Sequence, residues 1–392
     1  MESNLDQLVS AWAGQLWAGL LDGAGAHPTG AALIDVDSDW ILDEWQRELM
    51  DRLLWQARGG SVRFVESSCG GGRTHFLQLL HNRARRCGMA TVTIASERQA
   101  QVWADPLELY REVAHHLLPA RQVGAAGLPA LVASQSPSLA QAELFADLPG
   151  WGHALQLWAE RREPEALRFL LGEPLGPAAV ELGLHAPLSP RQAWSALRCL
   201  LCYLDFVGEK GLVVTGDGDG TVDPQRERET LESLRGLIDR CAGGELPGLL
   251  LAFAVLPEFR LQLLPEYEAL QQRLFGGFAL GPAGCLRPIL VLEQQRRWRA
   301  ERGIDFARGL FENLRALALR LHPRLSQSPL VLERNAQAML DELQWEVDSL
   351  GAARHMTRTM ARWLADQVLP LDTSEGASHA DRLQRFLEKE AP

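Results

Sequence analysis

Lysine is almost missing from this chain. Of 39 basic residues only Lys210 and Lys389 are lysines, so arginine's planar fork has to serve wherever a compact ammonium is the usual choice. Long apolar runs are missing too: none approaches the roughly 20 residues that a bilayer requires, which excludes an evident spanning helix. The first residues, Met1-Glu2-Ser3-Asn4-Leu5-Asp6, lack the basic start of a secretory signal. Cys199 and Cys202 have CxxC spacing, but no second pair completes a zinc site, and buried helix cysteines are expected there. The histidines, including His115-His116, show no metal-ligand spacing. Nucleophile constellations and internal repeats are also absent. A net charge of -11 and a pI near 5.5 run against the global electrostatic footprint of a nucleic-acid binder. The expectation is a cytoplasmic protein of a reducing compartment, without a membrane partner.

What remains is ordinary globular material. At 392 residues, 46% hydrophobic and 23% charged, the chain is long enough for two or three domains with substantial cores. Its organising stretch is Ser67-Ser68-Cys69-Gly70-Gly71-Gly72-Arg73-Thr74. This follows the short strand-like run Val62-Arg63-Phe64-Val65 and opens into the helical Phe76-Leu77-Gln78-Leu79-Leu80. Strand, glycine-rich turn and helix form the setting of a P-loop, where backbone N–H groups and a helix N-terminus converge on phosphate. The template is Gly, four residues, Gly, Lys, then Ser or Thr. Gly72 and Thr74 fit it; Ser67 replaces the first Gly and Arg73 the Lys.

Around this loop the chain reads β-α-β-α. Ala90 to Ile94 is a second strand, and Asp105-Pro106 caps and starts a helix carrying Leu107, Tyr110, Ala114 and Leu117 on one face. A helix is expected from Ser38 through Trp40, Ile41, Trp45, Leu49 and Leu53. Residues 119–207 offer helices and no strand. Leu212 to Thr215, Leu249 to Val255 and Pro288 to Leu292 supply three further strands. The expected fold is α/β: a P-loop NTPase, AAA-like, with a parallel sheet core, a helical insertion and a helical C-terminal lid. The expected boundaries are an N-terminal helical arm at 1–37, the core at 38–292 with its insertion at about 119–207, a helical, winged-helix-like lid at 293–370, and a tail at 371–392.

A P-loop ATPase also needs a buried strand ending in Asp for Mg²⁺, commonly followed by Glu to activate water. Leu212-Val213-Val214-Thr215-Gly216-Asp217 supplies the strand and the Asp, but Gly218 stands where the Glu belongs, with Asp219 one residue further. Gly216-Asp217-Gly218-Asp219-Gly220 has a second reading as a plain acidic turn. The run Arg296-Arg297-Trp298-Arg299-Ala300-Glu301-Arg302 also has two, a nucleic-acid contact or a solvated helix face, and the flanking acids favour the latter.

From Trp40 to about residue 370 the chain resembles a bacterial AAA-like P-loop family, the ATP-binding component of BREX-type phage-defence systems. The resemblance rests on several stretches in order. Ser67 to Phe76 is similar to its Gly-rich loop, and Ala104 to Arg111 to its DP-x-x-x-Y helix start. Phe169 to Leu175 is similar to its WL-x-GE segment, and Gly211 to Asp219 to its acidic strand. Leu246 to Leu250 and Leu256 to Phe259 are similar to its sensor region. The resemblance implies ATP or ADP with Mg²⁺, held by residues 67–74 and by Arg354 after Gly351-Ala352-Ala353, with Thr74 and Asp217 at the metal. It also implies partners among the other protein subunits of one complex. Four departures fall on one composite site: Ser67, Arg73, Gly218, and Val255-Leu256 where the family places a polar Thr. The expectation is a pseudo-ATPase that binds nucleotide weakly or not at all and serves a defence or DNA-transaction complex. An active ATPase using Arg73 and Asp217, and an adaptor reaching DNA through the lid, are the alternatives.

Overall fold

In the computed structural model, residues 31–120, 126–134, 145–275 and 281–321 are described, with residues 337, 340, 341, 360, 361 and 364. The elements in order are α1 (Ala31–Ile34), α2 (Asp39–Glu44), a π-helix (Trp45–Gln56), β1 (Ser61–Glu66), α3 (Arg73–Arg86), β2 (Ala90–Ile94), α4 (Gln99–Ala104) and α5 (Pro106–His116). Then come α6 (Gly127–Ser134), α7 (Pro149–Arg161), α8 (Pro164–Leu170), α9 (Ala193–Phe206), β3 (Leu212–Gly216), α10 (Glu227–Ala242) and β4 (Leu249–Val255). The last are α11 (Glu268–Phe275), β5 (Ile289–Val291), α12 (Leu292–Ala300) and α13 (Phe306–Leu321).

The five strands form one sheet in the order β2-β3-β4-β1-β5. The β1–β4, β2–β3 and β3–β4 pairs are parallel. Every residue of β3 and β4 is buried, which is why both read as unbroken apolar runs rather than alternating ones. Register puts Glu66 opposite Val255 and Gly216 opposite Phe253. The carboxyl ends of β1, β3 and β4 therefore share one edge, where α/β sheets place their ligands. These ends agree with the α/β, P-loop-like expectation.

The chain divides into two compact units. One holds Ile41–Glu66 and Leu80–Leu290, hence the sheet. On one side of it Phe64 stacks on Phe259 at 5.0 Å and meets Trp103 edge-on at 6.0 Å. In the same unit, stretches far apart in sequence join through directed hydrogen bonds. Asp105 caps α5 by accepting from Leu107 N at 2.8 Å. The buried Tyr110 hydroxyl donates to Leu170 O and accepts from Trp151 Nε1, and Arg111 Nε donates to Gly172 O at 2.8 Å. So the Asp-Pro helix start and the Leu-Gly-Glu segment around residues 169–175 form one packed joint. Tyr110→Phe is expected to cost about 1–3 kcal/mol, because it orphans a buried carbonyl and an indole N–H. A chemical-denaturation midpoint unchanged from wild type would contradict this.

The other unit holds Met1–Trp40, Ser67–Leu79 and Val291–Pro392. Within it α1 packs on α13, Asn313 Nδ2 donating to Asp35 O at 2.7 Å. The expected N-terminal arm up to residue 30, most of the lid and the tail lie outside the described residues.

One expectation is corrected. The helix through Leu53 continues α-helically only to Glu44, then widens to π geometry through Gln56. Its buried positions are Trp45, Leu49, Met50 and Leu54. An i→i+5 bond pattern shifts the inward face by one residue per turn or so, and this puts Leu54 in the core and leaves Leu53 half-exposed.

Candidate functional site

The loop begins where β1 ends. Ser67 is fully buried, while Cys69 and Gly70 are exposed. Gly70 and Gly72 take φ of 76° and 92°, a region in which a side chain is strained. Gly71 is needed for another reason: a Cβ there would lie 1.8 Å from Ser67 Oγ. The serine that replaces the first glycine thus points its hydroxyl across the inside of the loop. Gly71 N is spent on Ser68 O at 3.0 Å. Helix α3 starts at Arg73, three residues before the apolar run suggested, so Arg73 and Thr74 form its first turn. Arg73 Nη1 is buried without a hydrogen-bond partner among the described residues.

An anion already sits against this loop, and it belongs to the chain. Glu293, on α12, accepts from Ser67 Oγ at 2.7 Å, Ser68 N at 2.7 Å and Ser68 Oγ at 3.0 Å, all on Oε1. One turn along the same helix, Arg296 covers the loop: a Cβ on Gly72 would be 2.6 Å from Arg296 Nη2. Burial lowers the Arg296 pKa, and the charges of Glu293 and Asp35 offset this only in part. Asp35 also accepts from Ser38 N at 3.1 Å and lies 3.1 Å from His75 Nε2. Burial alone would raise its pKa, but the bonds and charge of His75 and the contacts with Ser38 hold it below the ordinary carboxylate value.

The reading of the basic run as a solvated face holds for Arg297, Glu301 and Arg302, which are exposed, and not for the rest. Arg296 packs on the loop, and Arg299 makes a two-pronged pair with Asp37 at 2.5 and 2.6 Å. Trp298 lies 5.2 Å from Trp40, and Arg302 stacks on Trp298 at 3.9 Å. Glu293 and Arg296 are the site residues that sequence reasoning missed. A faint signal existed, since positions three apart share one helix face.

At the carboxyl end of β3, Asp217 N donates to Ile94 O at 3.4 Å. Gly218 is buried beside Gln99, whose Oε1 accepts from Gly218 N at 2.8 Å and whose Nε2 donates to Ala254 O at 2.9 Å. A Cβ on Gly218 would lie 2.7 Å from Gln99 Cδ. The space that a general-base side chain needs at that position is filled by this amide. Asp219 is exposed and turned outward, accepting from Thr221 N and Thr221 Oγ1 at 2.9 and 2.7 Å. At the end of β4, Val255 is buried and packs towards Gly220.

The donors of Ser67 and Ser68 suit an oxyanion, as the Glu293 carboxylate demonstrates by standing in for one. The surroundings of Gly218 do not suit water activation. Among the described residues no group of three or more His, Cys, Asp or Glu side chains converges for a metal, so Mg²⁺ at Thr74 or Asp217 would depend on phosphate oxygens for its remaining ligands. Arg354 lies outside the described residues. No helix among the described residues is long and apolar enough to cross a membrane.

Residues 152–296 match the model of a family described as BREX system ATP-binding protein BrxC/D. The matched stretch begins after the loop of residues 67–74 and takes in β3, Asp217, Gly218, β4, Glu293 and Arg296. Comparison with curated proteins and with solved structures gave no match. The likeness to that family is carried by residues 152–296 of the 392.

Proposed function

We propose that the chain is a pseudo-ATPase: a P-loop subunit that has lost nucleotide chemistry and acts as an assembly or regulatory component of a bacterial anti-phage defence complex. The observation carrying this reading is the Glu293 carboxylate held by Ser67 and Ser68. A phosphate that uses the same donors has to displace a charged group that is already satisfied. Hydrogen bonds to charged groups are worth about 1.5–3 kcal/mol each, so this competition weakens nucleotide binding at the loop. Gln99 against Gly218 and the apolar Val255 argue the same way for hydrolysis. ATP or ADP with Mg²⁺ is then a weak or structural ligand, and the working partners are other subunits of the complex.

The test uses the full chain. ATP affinity should rise about tenfold in Glu293→Ala, the equivalent of ~1.4 kcal/mol, while turnover stays at background in both proteins. Robust Mg²⁺-dependent hydrolysis by wild type, abolished by Arg73→Ala, would overturn the reading. The buried, unpartnered Arg73 Nη1 favours a second one, in which the loop still grips phosphate and a neighbouring subunit completes the site. Turnover that appears only in the assembled complex, and vanishes with Arg73→Ala, would select it.

A further inference from the structure

Arg63 stands in the middle of β1, and nothing in the loop site uses it. Its Nε is sealed from solvent and has no hydrogen-bond partner among the described residues. Burial pulls its pKa down to about 10. A lone cation in such a place is costly unless something pairs with it.

Arg63 opens onto a groove of about 630 Å³. The groove is lined by Leu49, Leu53 and Ala57 on one side and by Pro282 and Leu286 on the other. Leu53 is there because the π-helix turns it out of the core, and π segments recur at functional sites. The rim charges are occupied with one another. Arg47 pairs with Glu44 and Glu48 at 2.5 and 3.3 Å, and Arg52 with Glu48 at 3.1 Å. Three arginines, Arg47, Arg52 and Arg63, face two glutamates, Glu44 and Glu48, so one positive charge is left over. That charge belongs to Arg63, a half-buried residue whose Nε is sealed. Size, apolar walls and a single placed polar group are the attributes of a small-molecule site, typically about 300–1,000 Å³.

We propose that this groove binds an anionic amphiphile: a monocarboxylic acid with a medium-length apolar chain. The carboxylate meets the Arg63 guanidinium, whose fork suits two parallel hydrogen bonds, and the chain lies along Leu49, Leu53 and Pro282. The site shares no residue with the phosphate loop, so it stands or falls independently of the pseudo-ATPase reading.

Calorimetric titration of the full chain with decanoate and with decan-1-ol, both below their aggregation limits, tests the proposal. Wild type should bind decanoate about 10–100-fold more tightly than the alcohol, the value of a charge-assisted hydrogen bond. Arg63→Met should erase that preference. Met fills a similar volume without a charge, so the variant is expected to melt at or above the wild-type temperature, which separates lost binding from lost folding. Decanoate should raise the melting temperature of wild type but not of Arg63→Met. Equal affinity for acid and alcohol, an undiminished preference in Arg63→Met, or no decanoate binding by wild type would each overturn the assignment.

Discussion

Arg260→Met is expected to lower the stability of the folded chain by about 3–5 kcal/mol. Arg260 Nε and Nη2 reach Glu66 Oε2 and Oε1 at 2.7 and 2.8 Å, and Glu66 is only 1% exposed. Glu66 is the last residue of β1 and lies opposite Val255 in the register. Removing the guanidinium takes two charge-assisted hydrogen bonds away from a buried carboxylate of the central sheet. The loss should show as a lower urea midpoint with an unchanged m-value. A companion Glu66→Leu, Arg260→Met double variant should recover most of the loss, because the buried carboxylate is removed together with the cation that held it. If the single variant costs less than about 1 kcal/mol, the value of an exposed pair, the carboxylate is not held as described.

The parts of the molecule legible from sequence are those where one physical signal dominates. The all-buried strands β3 and β4 were legible because a strand covered on both faces must be apolar at every position. Asp105-Pro106 was legible because a capping carboxylate and a fixed proline φ act locally. What stayed hidden depends on partners distant in sequence. Nothing in Gln99 announces that its amide bridges Gly218 and Ala254, more than a hundred residues away. The reach of Glu293 to Ser67 spans 226 positions. The π geometry of Trp45–Gln56 was hidden for a different reason, since apolar residues at positions 45, 49 and 53 satisfy the ordinary helical period. Arg63 gave a visible hint, a charge inside an otherwise apolar strand, but its meaning depended on the groove it opens onto and on an Nε without a hydrogen-bond partner among the described residues, which only three dimensions reveal.

Restoring the general-base glutamate by Gly218→Glu should fail, and the way it fails discriminates between an eroded site and a merely incomplete one. The new Cβ would meet Gln99 Cδ at 2.7 Å, with Gln99 Nε2 and Oε1 at 2.8 and 2.9 Å. Gln99 cannot withdraw freely, because Ala254 O and Gly218 N hold its two ends. Overpacking of this kind costs about 1–3 kcal/mol, and a carboxylate forced into a buried position adds to it. The variant is therefore expected to melt lower than wild type and to hydrolyse ATP no faster. Adding Gln99→Ala makes room and should return part of the stability. It should not return activity, because Glu293 still occupies the donors of Ser67 and Ser68. A positioned acid–base group is commonly worth about 10²–10⁴-fold. If Gly218→Glu alone raised Mg²⁺-dependent hydrolysis by such a factor, the loop would have to be competent as it stands, and the carboxylate against it would be no obstacle to phosphate.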